Sequence, residues 1–296
     1  MKYVITGGAG NISKPLVLQL LKAGHAVTVT GRSAENLKEL TDAGATAAVG
    51  TVEDLAFLTK IFKGADAVYT MVPPNWAAVQ WKQWIGNAGE NYAAAIRANG
   101  ITHVVNLSSI GADLPDGCGP VSGLYKVEQA LNASGAAVKH LRPSYFFSNF
   151  LGNAAMVKHM NIIGSNFGGD GFKLPMSSTD DIAAVAFEEL TGLSFTGHSA
   201  RYLVSDELGT SEIAGVLGSA VGKPELPWVS FTDEQAHGGM IQAGLNPEVV
   251  KNYVEMGAAL RSGVMQADFI RNRPAQTGKV KFADFATVFA QVYQTV

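Results

Sequence analysis

The sequence predicts an α/β protein: a doubly wound parallel sheet with a smaller carboxy-terminal α/β lobe. Three observations predict it. Short apolar strands alternate with amphipathic helices through the first half of the chain. The first 32 residues already run strand, glycine-rich turn, helix, strand. Beyond Arg142-Pro143 the alternation loosens into helices separated by short strand-like pieces. Repeated strand–helix units build parallel sheets with helices on both faces.

The elements follow in order. Tyr3-Val4-Ile5 is an apolar strand that runs into Thr6-Gly7-Gly8-Ala9-Gly10. Ile12, Leu16, Leu20 and Leu21 then recur at helical spacing, and Gly24 ends that helix. Val27 and Val29 alternate as the second strand. Strand three is predicted at Thr46–Val49, a helix over Leu55–Phe62, and strand four at Ala67–Met71, before Val72-Pro73-Pro74. A long helix is predicted over Ala77–Ala98, then strand five at His103–Leu107, leading into Ser108-Ser109. A helix over Val127–Ala133 and strand six at Val138–Leu141 complete the first half. The second half carries helices near Asp180–Thr191, Ser211–Val221, Asp233–Ala243, Pro247–Leu260 and Asp284–Gln294.

The opening segment carries the chemistry. Glycines let the backbone turn tightly and approach a pyrophosphate, and a helix start aims free N–H groups and its positive dipole end at an anion. A glycine turn alone is weak evidence; placed between a strand and a helix, with a second strand following, it reads as a dinucleotide site of the Rossmann type. Gly7 and Gly10 are expected against the pyrophosphate, with Asn11 and Ile12 donating backbone N–H groups. Strand two ends Thr30-Gly31-Arg32-Ser33, with no carboxylate to bond a ribose 2′-hydroxyl. Arg32, helped by the Ser33 hydroxyl, instead suits a 2′-phosphate, so NADP(H) is expected over NAD(H). Residues 1–150 are assigned to this dinucleotide-binding domain, with later segments returning to it, and 151–296 to a smaller substrate or partner lobe at the carboxyl ends of the strands.

Composition narrows the class. The chain has 296 residues and a net charge of −3, so nucleic acid and anionic membranes are not expected partners. A lone cysteine, Cys118, excludes a disulfide framework. No signal peptide and no membrane-spanning apolar run are read, and a cytoplasmic monomer or homodimer is expected. The six histidines show no metal-ligand spacing, and no metal is expected.

The middle of the chain resembles a known family. Asn106-Leu107-Ser108-Ser109-Ile110-Gly111-Ala112, then Glu128-Gln129-Ala130-Leu131-Asn132-Ala133-Ser134-Gly135, then Leu141-Arg142-Pro143 with Phe147 and Asn149 resemble the ExxLxxSG…LRPxxFxxN run of NmrA-like proteins, atypical short-chain dehydrogenases. Asp181-Ile182-Ala183, Ser211-Glu212-Ile213-Ala214 and Gly222-Lys223-Pro224 match the second lobe, so the resemblance spans nearly the whole chain. It implies NADP(H) binding, and either an NADPH-dependent reductase of a quinone or similar small apolar carbonyl, or a non-catalytic redox sensor. The nicotinamide is then expected between Met71–Pro73 (Met71, Val72, Pro73), Ser108–Ser109 and Pro143–Tyr145 (Pro143, Ser144, Tyr145), after strands four, five and six.

The sequence departs from that family in three places. Ser13 replaces the third glycine of the turn, a small residue that preserves close packing. Gly50-Thr51-Val52-Glu53-Asp54 lacks the usual aspartate, leaving an adenine contact to the Thr51 or Val52 backbone or to nothing. Counting back from Glu128 puts Leu124 and Pro120 where the family's acid–base lysine and tyrosine stand, and neither transfers a proton. Tyr125 and Lys126 lie beside that register, about 100° apart on a helix. Either Tyr125 packs and Lys126 is solvated, or a shifted glycine-rich loop brings one to the nicotinamide; they are the only catalytic candidates. A quinone needs little acid help in a hydride step, and Met71, Pro73, Trp76, Tyr145, Phe146, Phe147 and Phe150 suit a flat apolar ligand or an ordinary core. Trp81 and Trp84 share a helix face that packs, walls a cleft or meets a second subunit.

Overall fold

A computed structural model describes all 296 residues. The first unit alternates as expected: β1 Lys2–Ile5, α1 Ser13–Lys22, β2 Ala26–Gly31, α2 Lys38–Asp42, β3 Thr46–Val49, α3 Leu55–Phe62, β4 Ala67–Thr70, α4 Trp81–Asn99, β5 His103–Leu107, α5 Val121–Asn132 and β6 Ala137–Pro143. Two helix boundaries shift. α4 starts at Trp81, because Pro73-Pro74 and the Asn75 turn keep the preceding segment irregular, and Gly100 closes it in the left-handed region. α5 starts six residues earlier than the apolar spacing indicates, with Pro120 at its N-cap. Gly123 hid those turns. It is small because a Cβ there would stand 2.7 Å from Ile85 Cβ, where α5 crosses α4.

Past β6 the chain builds the second lobe from β7 Tyr145–Phe146, α6 Ala154–Met160, β8 Ile163–Ser165 and β9 Lys173–Ser177. It returns to the sheet with α7 Thr179–Gly192 and β10 His198–Leu203. It then leaves again through β11 Asp206–Gly209, α8 Thr210–Ala220, β12 Trp228–Ser230, α9 Asp233–Gln242, α10 Pro247–Arg261, α11 Ala267–Arg271 and α12 Phe282–Thr295. The seven-stranded sheet is parallel throughout, ordered β10-β6-β5-β4-β1-β2-β3. Strand order reverses between β1 and β4, which opens a crevice at their carboxyl ends.

Each sheet face buries one apolar layer. Leu16, Val17 and Leu20 of α1 meet Ile182, Ala186 and Leu190 of α7 on one side. Phe62, Tyr92, Ile96 and Val127 pack from α3, α4 and α5 on the other. The second lobe has its own core, rich in Phe150, Phe167, Phe269, Phe282 and Phe289. Ser178 caps α7 by accepting from the Asp180 N–H, and Asp180 and Asp181 fill the first turn, which suits the helix dipole.

Candidate cofactor and acceptor site

The glycine turn sits at the strand-order reversal. Gly7 takes φ +68°, and a Cβ there would stand 2.3 Å from Met71 Sδ. Gly8 is tighter still: a Cβ would stand 1.9 Å from Val29 Cγ2, and its N–H reaches Thr30 O at 2.8 Å. The sequence reading singled out Gly7 and Gly10 and passed over Gly8, whose constraint comes from a strand far along the chain. The Gly10 N–H is spent on Gly7 O at 2.9 Å. The backbone N–H groups of Asn11, Ile12 and Ser13 have no acceptor within the protein, and no side chain caps α1. These orphan donors at a helix start, with no Cβ over the turn, fit a pyrophosphate. Ser13 itself is buried and donates from its hydroxyl to Thr6 O at 3.0 Å, so the serine that replaces a glycine ties α1 to the end of β1.

At the end of β2, Arg32 is exposed and forms neither an ion pair nor a side-chain hydrogen bond. Ser33 Oγ accepts from the Glu35 N–H at 3.2 Å and keeps its own proton to give. Thr51 closes its own loop, its hydroxyl accepting from the Glu53 N–H and its carbonyl from the Asp54 N–H, while the Thr51 and Val52 N–H groups have no acceptor within the protein. The carbonyls of Val52 and Glu53 each accept from Asn91 Nδ2 at 3.1 Å, which clamps this loop to α4.

The three strand-end segments come together at the same crevice. Thr6 Oγ1 accepts from the Met71 N–H at 2.9 Å, and Tyr92 donates to Met71 O at 2.6 Å, which pins the turn into Val72 and Pro73. Ser108 is buried; its N–H reaches Leu141 O at 2.7 Å and its hydroxyl donates to Glu128 at 2.5 Å. Ser144 is likewise committed, with its N–H on Leu203 O and its hydroxyl 2.8 Å from Ser177 Oγ. Pro143 O accepts from the Ile110 N–H at 3.0 Å. The hydroxyls of Ser108 and Ser144 therefore face into the fold. Ser109, half-buried, is the serine whose hydroxyl has no protein partner.

Behind these segments lies a buried network. Arg142 donates from Nε to Glu128 Oε1 at 3.0 Å and from Nη2 to Oε2 at 2.6 Å. Its Nη1 reaches Tyr202 Oη at 2.8 Å, and Tyr202 donates to Asp268 of the second lobe. Burial opposes the Arg142 charge, and Glu128 more than restores it, so the guanidinium stays charged. Asp113 stands near this network with its carboxyl raised by burial and one oxygen unpartnered.

The structure does not assemble Tyr125 and Lys126 into an acid pair. Lys126 is exposed; its stem lies over Gly86 of α4 and its Nζ reaches Gln83 Oε1 at 3.2 Å. Tyr125 is half-buried and makes no hydrogen bond. Pro120 and Leu124 hold the register of the missing pair on α5.

Two aromatic clusters lie near the strand ends. Trp76, in the loop after β4, packs at 5.6 Å from Trp81 and 6.0 Å from Tyr253 of α10. Tyr145, just past β6, meets Phe150 at 5.4 Å and Phe167 at 5.7 Å, both edge-on. Phe147 and Phe150 belong instead to the core of the second lobe. Tyr253 escaped the sequence reading because it lies on a distant helix with no local motif. Burial pushes the Tyr145 phenol up to about 12, partly offset by the neighbouring Asn149 side chain.

Residues 7–191 match the family model described as NAD(P)H-binding. The chain belongs to that family. It is 27% identical over 294 residues to an NAD(P)H azoreductase of Xenophilus azovorans, covering 98% of each chain. Its fold superposes on an NADPH-dependent quinone oxidoreductase of Escherichia coli bound to NADPH, with TM-score 0.75, 18% identity and 97% and 99% of the two chains covered. It also superposes on NmrA, a negative transcriptional regulator bound to NADP, with TM-score 0.77, 14% identity and 99% and 97% covered. This family member thus has the Rossmann architecture that the NmrA-like resemblance implies, and no helix is long and apolar enough to cross a membrane.

Proposed function

We propose that this protein is an NADPH-dependent reductase of flat, electron-poor aromatic acceptors, quinones above all. One observation carries the reading. The orphan N–H groups of Asn11, Ile12 and Ser13 and the unpaired Arg32 suit the two phosphate groups of NADP(H), and two aromatic clusters lie beside the same strand ends. Bound there, the reduced nicotinamide supplies a hydride. The chain's own residues do the rest. Arg32 and Ser33 hold the 2′-phosphate and the start of α1 holds the pyrophosphate. Met71–Pro73, Ser108–Ser109 and Pro143–Tyr145 frame the ring, and Trp76, Tyr145 and Tyr253 hold the acceptor. The azoreductase and quinone oxidoreductase relatives support small aromatic acceptors. A free, buried Cys118 suits a reducing cytoplasm.

A second reading is favoured by the register on α5. With Pro120 and Leu124 in place of an acid pair, the protein is a cofactor-holding regulator without turnover, as the fold of NmrA also allows. NADPH oxidation against quinones, azo dyes and aldehydes, with NADPH affinity measured in parallel, separates the two. Quinone turnover establishes the reductase. Tight NADPH binding with no turnover on any acceptor overturns it in favour of the regulator.

A further inference from the structure

The loss of the tyrosine–lysine register leaves a reductase without its usual hydrogen-bond donor to the acceptor. Two phenols stand at the crevice. Tyr145 follows β6 at the carboxyl end of the sheet, its ring fixed edge-on by Phe150 and Phe167. Tyr253 projects from α10, its ring fixed by Trp81 at 86° and by the half-exposed Trp76. No carbonyl or carboxylate accepts from either hydroxyl. Neither oxygen is among the sealed, unpartnered polar atoms of the interior, unlike Tyr69 Oη and the indole nitrogens of Trp81 and Trp228. The two hydroxyls are close enough that charge on Tyr145 disfavours charge on Tyr253. Tyr145 at the end of β6 and Tyr253 of α10 thus each keep a hydroxyl without a protein acceptor, and the two stand near one another.

We infer that the Tyr145 hydroxyl is the catalytic hydrogen-bond donor to the acceptor oxygen on which negative charge develops, with Tyr253 of α10 helping to position that oxygen. This rests on the reductase reading above. The acceptor gains a hydride as a new bond to one quinone oxygen, and the electrons of the conjugated C=O system shift through the ring onto the other oxygen, giving the quinol monoanion. The reduced nicotinamide is the two-electron donor and is oxidised. Tyr145 donates a hydrogen bond to that oxyanion and keeps its proton, because its phenol, raised to about 12, is a weaker acid than a quinol near the ordinary phenol value of about 10. The proton that completes the O–H bond comes from water at the mouth of the crevice.

The test uses the full chain and the variants Tyr145→Phe and Tyr253→Phe, which keep both rings and their edge contacts. Two readouts are taken: steady-state quinone reduction, and the absorbance titration of 4-nitrophenol bound to the protein loaded with oxidised cofactor. Losing one oxyanion donor costs about 10²–10³-fold in kcat. Tyr145→Phe is expected to lower kcat by about 10²-fold and to raise the apparent pKa of bound 4-nitrophenol by about one unit, a tenfold loss of phenolate preference. Tyr253→Phe is expected to raise KM more than it lowers kcat. Quinone reduction with kcat within threefold of the parent in Tyr145→Phe overturns this inference and leaves the reductase reading standing. An unchanged nitrophenol titration in that variant overturns it as well. No quinone reduction by the parent overturns both.

Discussion

Arg142 grips Glu128 through two parallel hydrogen bonds, and both side chains are nearly sealed from solvent, at 11% and 3% exposure. Ser108 from the end of β5 donates to the same carboxylate, while Tyr202 of β10 and Asp268 of the second lobe continue the chain of contacts. The pair therefore joins three strand ends of the sheet to the lobe above it. Removing one partner of a buried pair leaves an uncompensated charge, at about 3–5 kcal/mol. Glu128→Ala is expected to destabilise by about that much in urea unfolding. Glu128→Leu combined with Arg142→Met is expected to recover most of it; a double variant no better than the single would show that the pair's worth lies elsewhere.

Arg32 is expected to set cofactor choice. A charge-assisted phosphate contact is worth about 1.5–3 kcal/mol, so Arg32→Ala should weaken NADPH by about ten-fold to over one-hundred-fold and leave NADH nearly unchanged. Titration of both cofactors by nicotinamide fluorescence checks this. Equal affinity for both in the unmodified protein contradicts it.

The glycines of the first turn are expected to separate binding from folding. Gly10 is less confined than Gly8: a Cβ there meets only Gly7 O, at a tight 3.1 Å that a shift of a few tenths of an ångström relieves, so Gly10→Val should stay folded and lose cofactor affinity. Gly8→Val drives a side chain into Val29 and should cost stability first. Circular dichroism melts beside cofactor titrations distinguish the two; a Gly10→Val protein that binds normally would move the pyrophosphate elsewhere.

His140 is expected to make stability fall in mild acid. The ring is buried between Asn106, whose side chain lies 3.1 Å from Nδ1, and Asn132, 2.9 Å from Nε2. Asn106 in turn accepts from Thr70, so it presents its amide to Nδ1, and the neutral ring carries its proton on Nε2. Burial lowers its pKa from 6.5 to about 4, with Arg142 and His198 also lowering it and Glu128 opposing. The unfolded chain thus binds the proton more tightly, and stability contributed above pH 6.5 is lost as pH falls from about 6.5 to about 4. The full loss is about 3 kcal/mol. Unfolding at a series of pH values, with the His140 ring followed by NMR, tests it; a ring that titrates near 6.5 in the folded protein would refute the assignment.

The strand and helix pattern of the sheet was legible because each element carries its signal locally: a short apolar run, a period, a glycine stop. β3, α3 and β5 fall where the pattern puts them. What was not legible depends on residues brought together from afar. Gly8 reads as one more turn glycine until Val29 is seen against it. The hydroxyls of Ser108 and Ser144 look available in the sequence until Glu128 and Ser177 are seen to take them. Tyr253 has no sequence neighbour that marks it; only the docking of α10 beside Trp81 does, through the Trp81 N–H on Glu248 at 3.2 Å.

The return of α7 and β10 to the sheet has a consequence for how the molecule comes apart. The chain passes between the lobes repeatedly, and the outermost strand of the sheet is made by residues that follow much of the second lobe. A polypeptide ending at residue 150 would leave β6 as a raw edge with a row of open N–H and C=O groups, and would strip α7 from α1. Such a fragment would expose Leu16, Val17 and Leu20 to water and invite self-association. The two lobes are therefore stitched into one cooperative folding unit, and heat or urea should melt the glycine turn and the aromatic clusters in a single transition.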